Sequence, residues 1–199
     1  MFDSSLKFDI HIQKAVSKAN QMVGMIKRSF TYLDKEIFLK LYKALVRPHV
    51  EYGNLIWHPY LKRQSVAIEK VQRRSTRILK ECKGMTYEER LRYLELPSLK
   101  HRRIRNDMIE TFKIFHQYNH VDFDNFFTMS TIDKTRNQEG KLFLSRSNTN
   151  IRKNFFSNRV VHHWNKLPQN IKYAPNLNTF KNLLDVHTNF IVHLYEFDE

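Results

Sequence analysis

The sequence predicts a mainly α protein, with a helical bundle over residues 1–120, then a loop-rich connection and a small helical region over residues 121–199. Three observations carry this. Apolar side chains recur three and four residues apart through several long windows, the spacing that lines one face of a helix. Only 4 Gly and 5 Pro occur in 199 residues, too few for the many turns of a sandwich. Apolar residues make up 41% and aromatics 13%, enough to build a core in a chain of this length.

The elements follow in order. Residues 1–9 read as a short strand or extended lead-in. Ile12, Val16, Ala19, Val23, Ile26 and Phe30 then predict a helix from about His11 to Phe30. Asp34 is placed to cap a second helix holding Phe38, Leu41, Tyr42 and Leu45, which Pro48 stops or kinks. Val50 to Tyr60 is aromatic and contains Gly53 and Pro59, which suits a short helix with a loop after it. A third helix runs from about Lys62 to Lys80. Ile68, Val71, Ser75, Ile78 and Cys82 fall on one side of it, and Arg63, Lys70, Arg73, Arg74, Arg77 and Lys80 fall largely on the other. Thr86 and Glu89 form a capping box for a short helix with Leu91 and Leu94, and Pro97 breaks it. Ser98 caps a fifth helix, Leu99 to Tyr118, whose stripe is Ile104, Met108, Phe112 and Phe115, with Arg102 and Arg103 pointing away. Periodicity fades between Asn119 and Asn150, where Lys141 to Arg146 reads as a short strand. It returns over Asn154–Leu167 and Asn178–Leu194.

Charge is the strongest compositional signal. The net charge is +14, with a pI near 9.9. Residues 61–105 carry 14 Lys and Arg against 5 Asp and Glu, whereas residues 106–199 carry 11 against 10. So concentrated an excess implies an anionic partner, and phosphate is the commonest.

Other chemistry is excluded or weak. One cysteine rules out a disulfide framework and a multi-cysteine zinc module, and Cys82 reads as a small core residue. There is no Gly-rich phosphate loop. His162 and His163 are adjacent, so on a helix they diverge by about 100° and do not share a metal. Asp122 and Asp124 lie in a polar stretch and read as a solvated turn rather than a magnesium site. No apolar run is long enough to span a membrane, and the N-terminus has no apolar signal core, which predicts an intracellular protein, nuclear or cytoplasmic.

Several motifs occur in a familiar order. Phe2 to Ile12 leads in. Tyr42, Val46, Arg47, Pro48, Glu51, Tyr52, Gly53 and Trp57 follow. Next come Glu69, Val71, Gln72, Arg73 and Arg74, then Tyr87, Glu88, Arg90, Leu91 and Leu94. Leu99, Arg102, Arg103, Arg105, Asp107 and Lys113 form an Arg-Arg-X-Arg-X-Asp helix. Phe155, Phe156, Arg159, Val160, Trp164, Asn165, Leu167 and Pro168 come later, and Phe180 and Lys181 close the series. This order resembles the C-terminal part, thumb and C-terminal extension, of jockey-type non-LTR retrotransposon reverse transcriptases. Asn137 departs from the pattern, which has Gly after Thr135-Arg136.

The resemblance implies a thumb-like bundle that holds a template–primer duplex. Phe2 to Ile12 resembles the tail of the family's palm leading into the thumb, and the magnesium-binding aspartates lie in the palm upstream of it, so the resemblance implies no catalytic residue and no cofactor on this chain, with Mg2+ confined to the palm. The nucleic-acid-binding residues it and the charge pattern select are Arg63, Lys70, Arg73, Arg74, Arg77, Lys80, Arg102, Arg103 and Arg105. The partners implied are RNA, an RNA–DNA hybrid or the DNA backbone, and the remainder of a polymerase. Arg136 and Arg152 also lie where RNA contact is conceivable, while Trp57 and Trp164 read as packing residues. Two other readings share these features: a non-enzymatic basic helical interaction module, and a translated relic of a mobile element.

Overall fold

The computed structural model describes residues 7–130 and 139–188. The lead-in over residues 1–6, the Thr135-Arg136-Asn137 stretch and the helical spacing beyond Thr188 lie outside the described residues. The fold is mainly α, and among the described residues the β structure amounts to one isolated bridge, Met129 to Leu142. By its contacts the chain divides into two compact units. The first ends at Arg103 and the second begins at Ile104.

The first unit is built around α1 (Asp9–Ser29), which packs against α3 (Arg47–Glu51) and α4 (Lys62–Thr76). Ile12, Ala19, Val23 and Ile26 are the buried face of α1, as their spacing requires. Between α1 and α3 lies α2 (Lys35–Leu41), capped as predicted by Asp34, whose Oδ1 accepts from Ile37 N at 2.8 Å. Pro48 does not stop this helix. A π turn over Tyr42–Val46 widens the backbone, with Arg47 N donating to Tyr42 O, and Pro48 then enters at the start of α3, where its missing N–H costs least. The chain turns at Gly53 (φ +67°), where a Cβ would stand 3.5 Å from the Trp57 ring. Trp57 is buried and donates from Nε1 to Tyr52 O at 2.7 Å, so it packs.

The third predicted helix is shorter than its periodicity suggests. It ends at Thr76 and is followed by a 3-10 turn at Lys80–Cys82. Ser75 Oγ and Thr76 Oγ1 donate back to Val71 O and Arg73 O, the local bonding that competes with helix continuation. Cys82 is buried, as predicted. The capping box at Thr86 and Glu89 opens α5 (Tyr87–Leu94).

The division between the units falls inside α6 (Leu99–Phe115), not near residue 120. The reason is visible in its later turns. Phe112 stacks on Phe180 at 4.1 Å, and Phe115 lies 5.2 Å from Trp164, so the aromatic stripe of α6 belongs to the C-terminal core. The other helices of the second unit are α7 (Asn150–Asn154), α8 (Phe156–Lys166), α9 (Gln169–Lys172) and α10 (Leu177–His187). Trp164 is fully buried and donates to Gly140 O at 2.9 Å. The predicted strand at Lys141–Arg146 is extended chain with a single bridge. Its backbone at Leu142 pairs with the Asn165 side chain, which both accepts and donates at 2.9 Å.

Candidate nucleic-acid interface

Helix α4 is an amphipathic element seated firmly on one side. Ile68, Val71, Gln72 and Ser75 are buried. Near its N-terminus, Gln64 Nε2 donates to Lys7 O at 2.7 Å and to Asp9 Oδ1 at 2.8 Å. Two buried polar residues lock its middle. Gln72 accepts from Tyr42 Oη at 2.5 Å and donates to Pro97 O at 2.9 Å. Glu69 accepts from Tyr87 Oη at 2.5 Å, and from Leu99 N at 3.1 Å and Lys100 N at 3.3 Å. One carboxylate thereby caps the positive end of α6 and holds the Tyr87 ring. Burial, then the charge of Glu69, push the Tyr87 hydroxyl far above the usual tyrosine range, so it stays protonated and donating.

The other side of α4 is basic and open. Arg63, Lys70, Arg73, Arg74 and Arg77 are all exposed, as is Lys80 in the following turn. Arg63, Lys70, Arg74 and Arg77 repeat at intervals of seven, four and three, so they project in one row. From Arg63 to Arg74 that row spans about 16 Å of helix axis, nearly five base-pair steps. Among the described residues no acid pairs with Lys70, Arg74, Arg77 or Lys80. Arg63 shares its charge with Asp9, Nη2 to Oδ2 at 2.8 Å, while its side chain remains 71% exposed. Arg73 lies over the Tyr87 ring at 4.7 Å, which fixes its direction without covering it. Beside the row a groove of about 500 Å³ is bordered by Tyr60, Val66, Lys62, Lys70 and Lys100. Guanidinium and ammonium groups aligned in this way suit the phosphates of a backbone and read no base.

The α6 arginines that the sequence reading groups with this face are engaged within the fold instead. Arg102 grips the Glu51 carboxylate from both Nε and Nη2, and Arg47 lies 3.6 Å from the same group. Arg103 is 2% exposed and donates from Nη2 to Ser65 Oγ at 2.9 Å. Arg105 makes a two-pronged pair with Asp185, at 2.6 and 2.8 Å. Arg102 and Arg105 are each engaged two-pronged by a carboxylate, so drawing them to phosphate would leave the partly buried Glu51 and Asp185 without those partners, while Arg103 is enclosed within the fold.

Other residues acquire roles that composition did not show. Asp107 pairs through both oxygens with Arg159, at 2.8 and 2.9 Å, with side chains 6% and 10% exposed. Arg90 is buried and donates to Thr76 Oγ1 and Met85 O. Lys172 is buried beside Lys141, and burial, then that neighbour, lower the pKa of its ammonium. Among the described residues no cluster of three or more His, Cys, Asp or Glu is placed to hold a metal ion. No helix described is long and apolar enough to cross a membrane.

No family model and no solved structure matches the chain. Over 105 residues it is 28% identical to a Caenorhabditis elegans protein described as uncharacterized protein B0403.1. The shared stretch covers 51% of this chain and 53% of that protein, so this chain spans about half the length of the relative it matches.

Proposed function

We propose that the chain is a nucleic-acid-binding thumb and C-terminal portion of a retrotransposon RNA-directed DNA polymerase, and that α4 holds the template–primer duplex by its phosphates. Its contribution is binding and positioning rather than chemistry. The polymerase assignment rests on the ordered motifs. The binding assignment rests on one observation: the exposed row of Arg63, Lys70, Arg74 and Arg77, continued by Lys80, on a helix anchored along its opposite side. The expected partners are an RNA–DNA hybrid, RNA or DNA, with the rest of the polymerase alongside, inside the cell.

The test is fluorescence anisotropy of the whole chain with a labelled RNA–DNA hybrid, titrated with salt. Affinity falls steeply with salt, and Lys70→Ala, Arg74→Ala and Arg77→Ala each reduce the log–log slope by about one. A folded chain that fails to bind the hybrid at about 50 mM salt removes the proposal.

A further inference from the structure

The second unit carries a surface of a different kind. Between Gly140 and Asp185 the sequence holds no Asp or Glu, yet it holds eight Lys and Arg. Arg159 is committed to Asp107 and Lys172 is buried. Arg146, Arg152 and Lys153 are exposed, and no acid among the described residues pairs with them.

Large apolar side chains alternate with these cations along one exposed ribbon. Phe143 is 49% exposed, Leu144 57%, Ile151 41% and Phe155 50%. The ribbon is pinned to α8. At one end the Asn165 amide clasps the backbone of Leu142, beside Phe143. At the other, Asn158 Nδ2 donates to Ser147 Oγ at 2.6 Å and to Arg152 O at 3.0 Å, close to Phe155. The Arg152 guanidinium lies 5.4 Å from the centre of the Phe155 ring. Two solvent-facing aromatic rings are thus carried on a braced frame with arginines between them. Exposed rings in this setting offer stacking faces to unpaired bases, and the cations beside them offer phosphate contacts.

We propose that the ribbon from Phe143 to Phe155 binds single-stranded nucleic acid, with Phe143 and Phe155 stacking on bases and Arg146, Arg152 and Lys153 contacting phosphates. The site goes beyond the α4 face and does not depend on it, because duplex phosphates require no stacking rings. Charge complementarity restricts the partner to a polyanion. Asn148, Thr149 and Asn150 are exposed between the two aromatic positions, and their amides and hydroxyl find partners on bases and sugars but not in lipid tails.

The experiment measures binding of the whole chain to a labelled oligouridylate of roughly twelve nucleotides, beside the RNA–DNA hybrid. Combined Phe143→Ala and Phe155→Ala is expected to weaken oligouridylate binding at least about tenfold while hybrid binding stays within about twofold. Phe143→Tyr with Phe155→Tyr retains stacking and stays near wild type. Arg74→Ala with Arg77→Ala weakens the hybrid and spares the oligouridylate, so failure of either site is seen separately. Should the alanine pair disturb folding, Arg146→Ala and Arg152→Ala take its place, each lowering the oligouridylate salt slope by about 0.7. Unchanged oligouridylate binding in the alanine pair, or equal loss in the tyrosine pair, overturns the proposal. So does phosphatidylserine-vesicle binding that the alanine pair abolishes while oligouridylate binding persists.

Discussion

The arginines of α4 and those of α6 are the same residue type, barely thirty positions apart, and they meet opposite fates. Arg74 and Arg77 face water on a helix whose other side is anchored, while Arg102, Arg103 and Arg105 are matched to Glu51, Ser65 and Asp185. The difference does not lie in the helices' own periodicity. It lies in what the rest of the chain places opposite each residue. Where a carboxylate arrives with both oxygens available, guanidinium takes it and leaves solvent. A dense run of Arg therefore identifies a binding surface only once the acids that could cancel it have been placed.

The largest effect that sharpens this contrast is at the most enclosed pair. Asp107→Ala leaves the Arg159 guanidinium buried without its carboxylate and should cost about 3–5 kcal/mol. The chain supplies its own reporters, since its two tryptophans are both buried, Trp57 in the first unit and Trp164 in the second. Urea unfolding followed through Trp164 in a Trp57→Phe background should show the loss. A midpoint unchanged from that background would mean that Arg159 finds another partner and that the pair does not hold the unit.

Arg102→Ala comes next. Its pair with Glu51 is more open than Asp107–Arg159, at 21% and 15% side-chain exposure, and Arg47 stays near the abandoned carboxylate. The expected cost is about 2 kcal/mol, read through Trp57. Hybrid binding should stay within about twofold at constant salt, because the residue is not on the interface. A steep loss of hybrid affinity without loss of stability would break the comparison and return Arg102 to the binding face.

These pairs explain how much could be read in advance. The helices were legible because their causes are local: the apolar face of α1, the Asp34 cap, the Thr86–Glu89 box. Pro48 marked a stop or a kink, and of the two the stop fails because a π turn just before it accommodates the ring, a turn that leaves no periodic signature. Arg102 and Arg105 misled because their acids lie 51 and 80 residues away in sequence. Arg103 was expected on an outer face, but α6 is covered on more than its apolar stripe. The row on α4 was visible in full, whereas the anchors beneath it, Glu69 and Gln72, were seen as motif residues without a role. Averaging hid the last feature. Residues 106–199 are nearly neutral overall, yet the acids lie outside the basic stretch between Gly140 and Asp185.

A smaller effect tests a carboxylate that serves a helix end rather than an arginine. Thr86→Ala removes half of the α5 capping box and should cost about 1 kcal/mol. The other half is pH-dependent. Hydrogen bonds from Thr86, the backbone N–H first, hold the Glu89 carboxyl below the usual glutamate range. A group whose pKa is depressed on folding contributes stability that is present above its unfolded pKa and is lost as pH falls through the folded one. The stability gap between wild type and Glu89→Gln should therefore close on acidification below about pH 4. A gap that stays constant from neutral to acidic pH would show that the box does not depend on the charge.

The smallest effect on stability decides most about the comparison. Arg74→Ala with Arg77→Ala removes two exposed cations that no described acid pairs with, so the unfolding free energy should change by less than about 0.5 kcal/mol. Removing like charge from so basic a surface even favours a slight gain. The same double variant should lose about two from the salt slope of hybrid binding. Stability and binding then separate cleanly between the two helices: α6 arginines change the fold and spare binding, α4 arginines change binding and spare the fold. If the double variant unfolds more easily and still binds with the wild-type slope, the α4 row is structural, and the distinction between the two helices collapses.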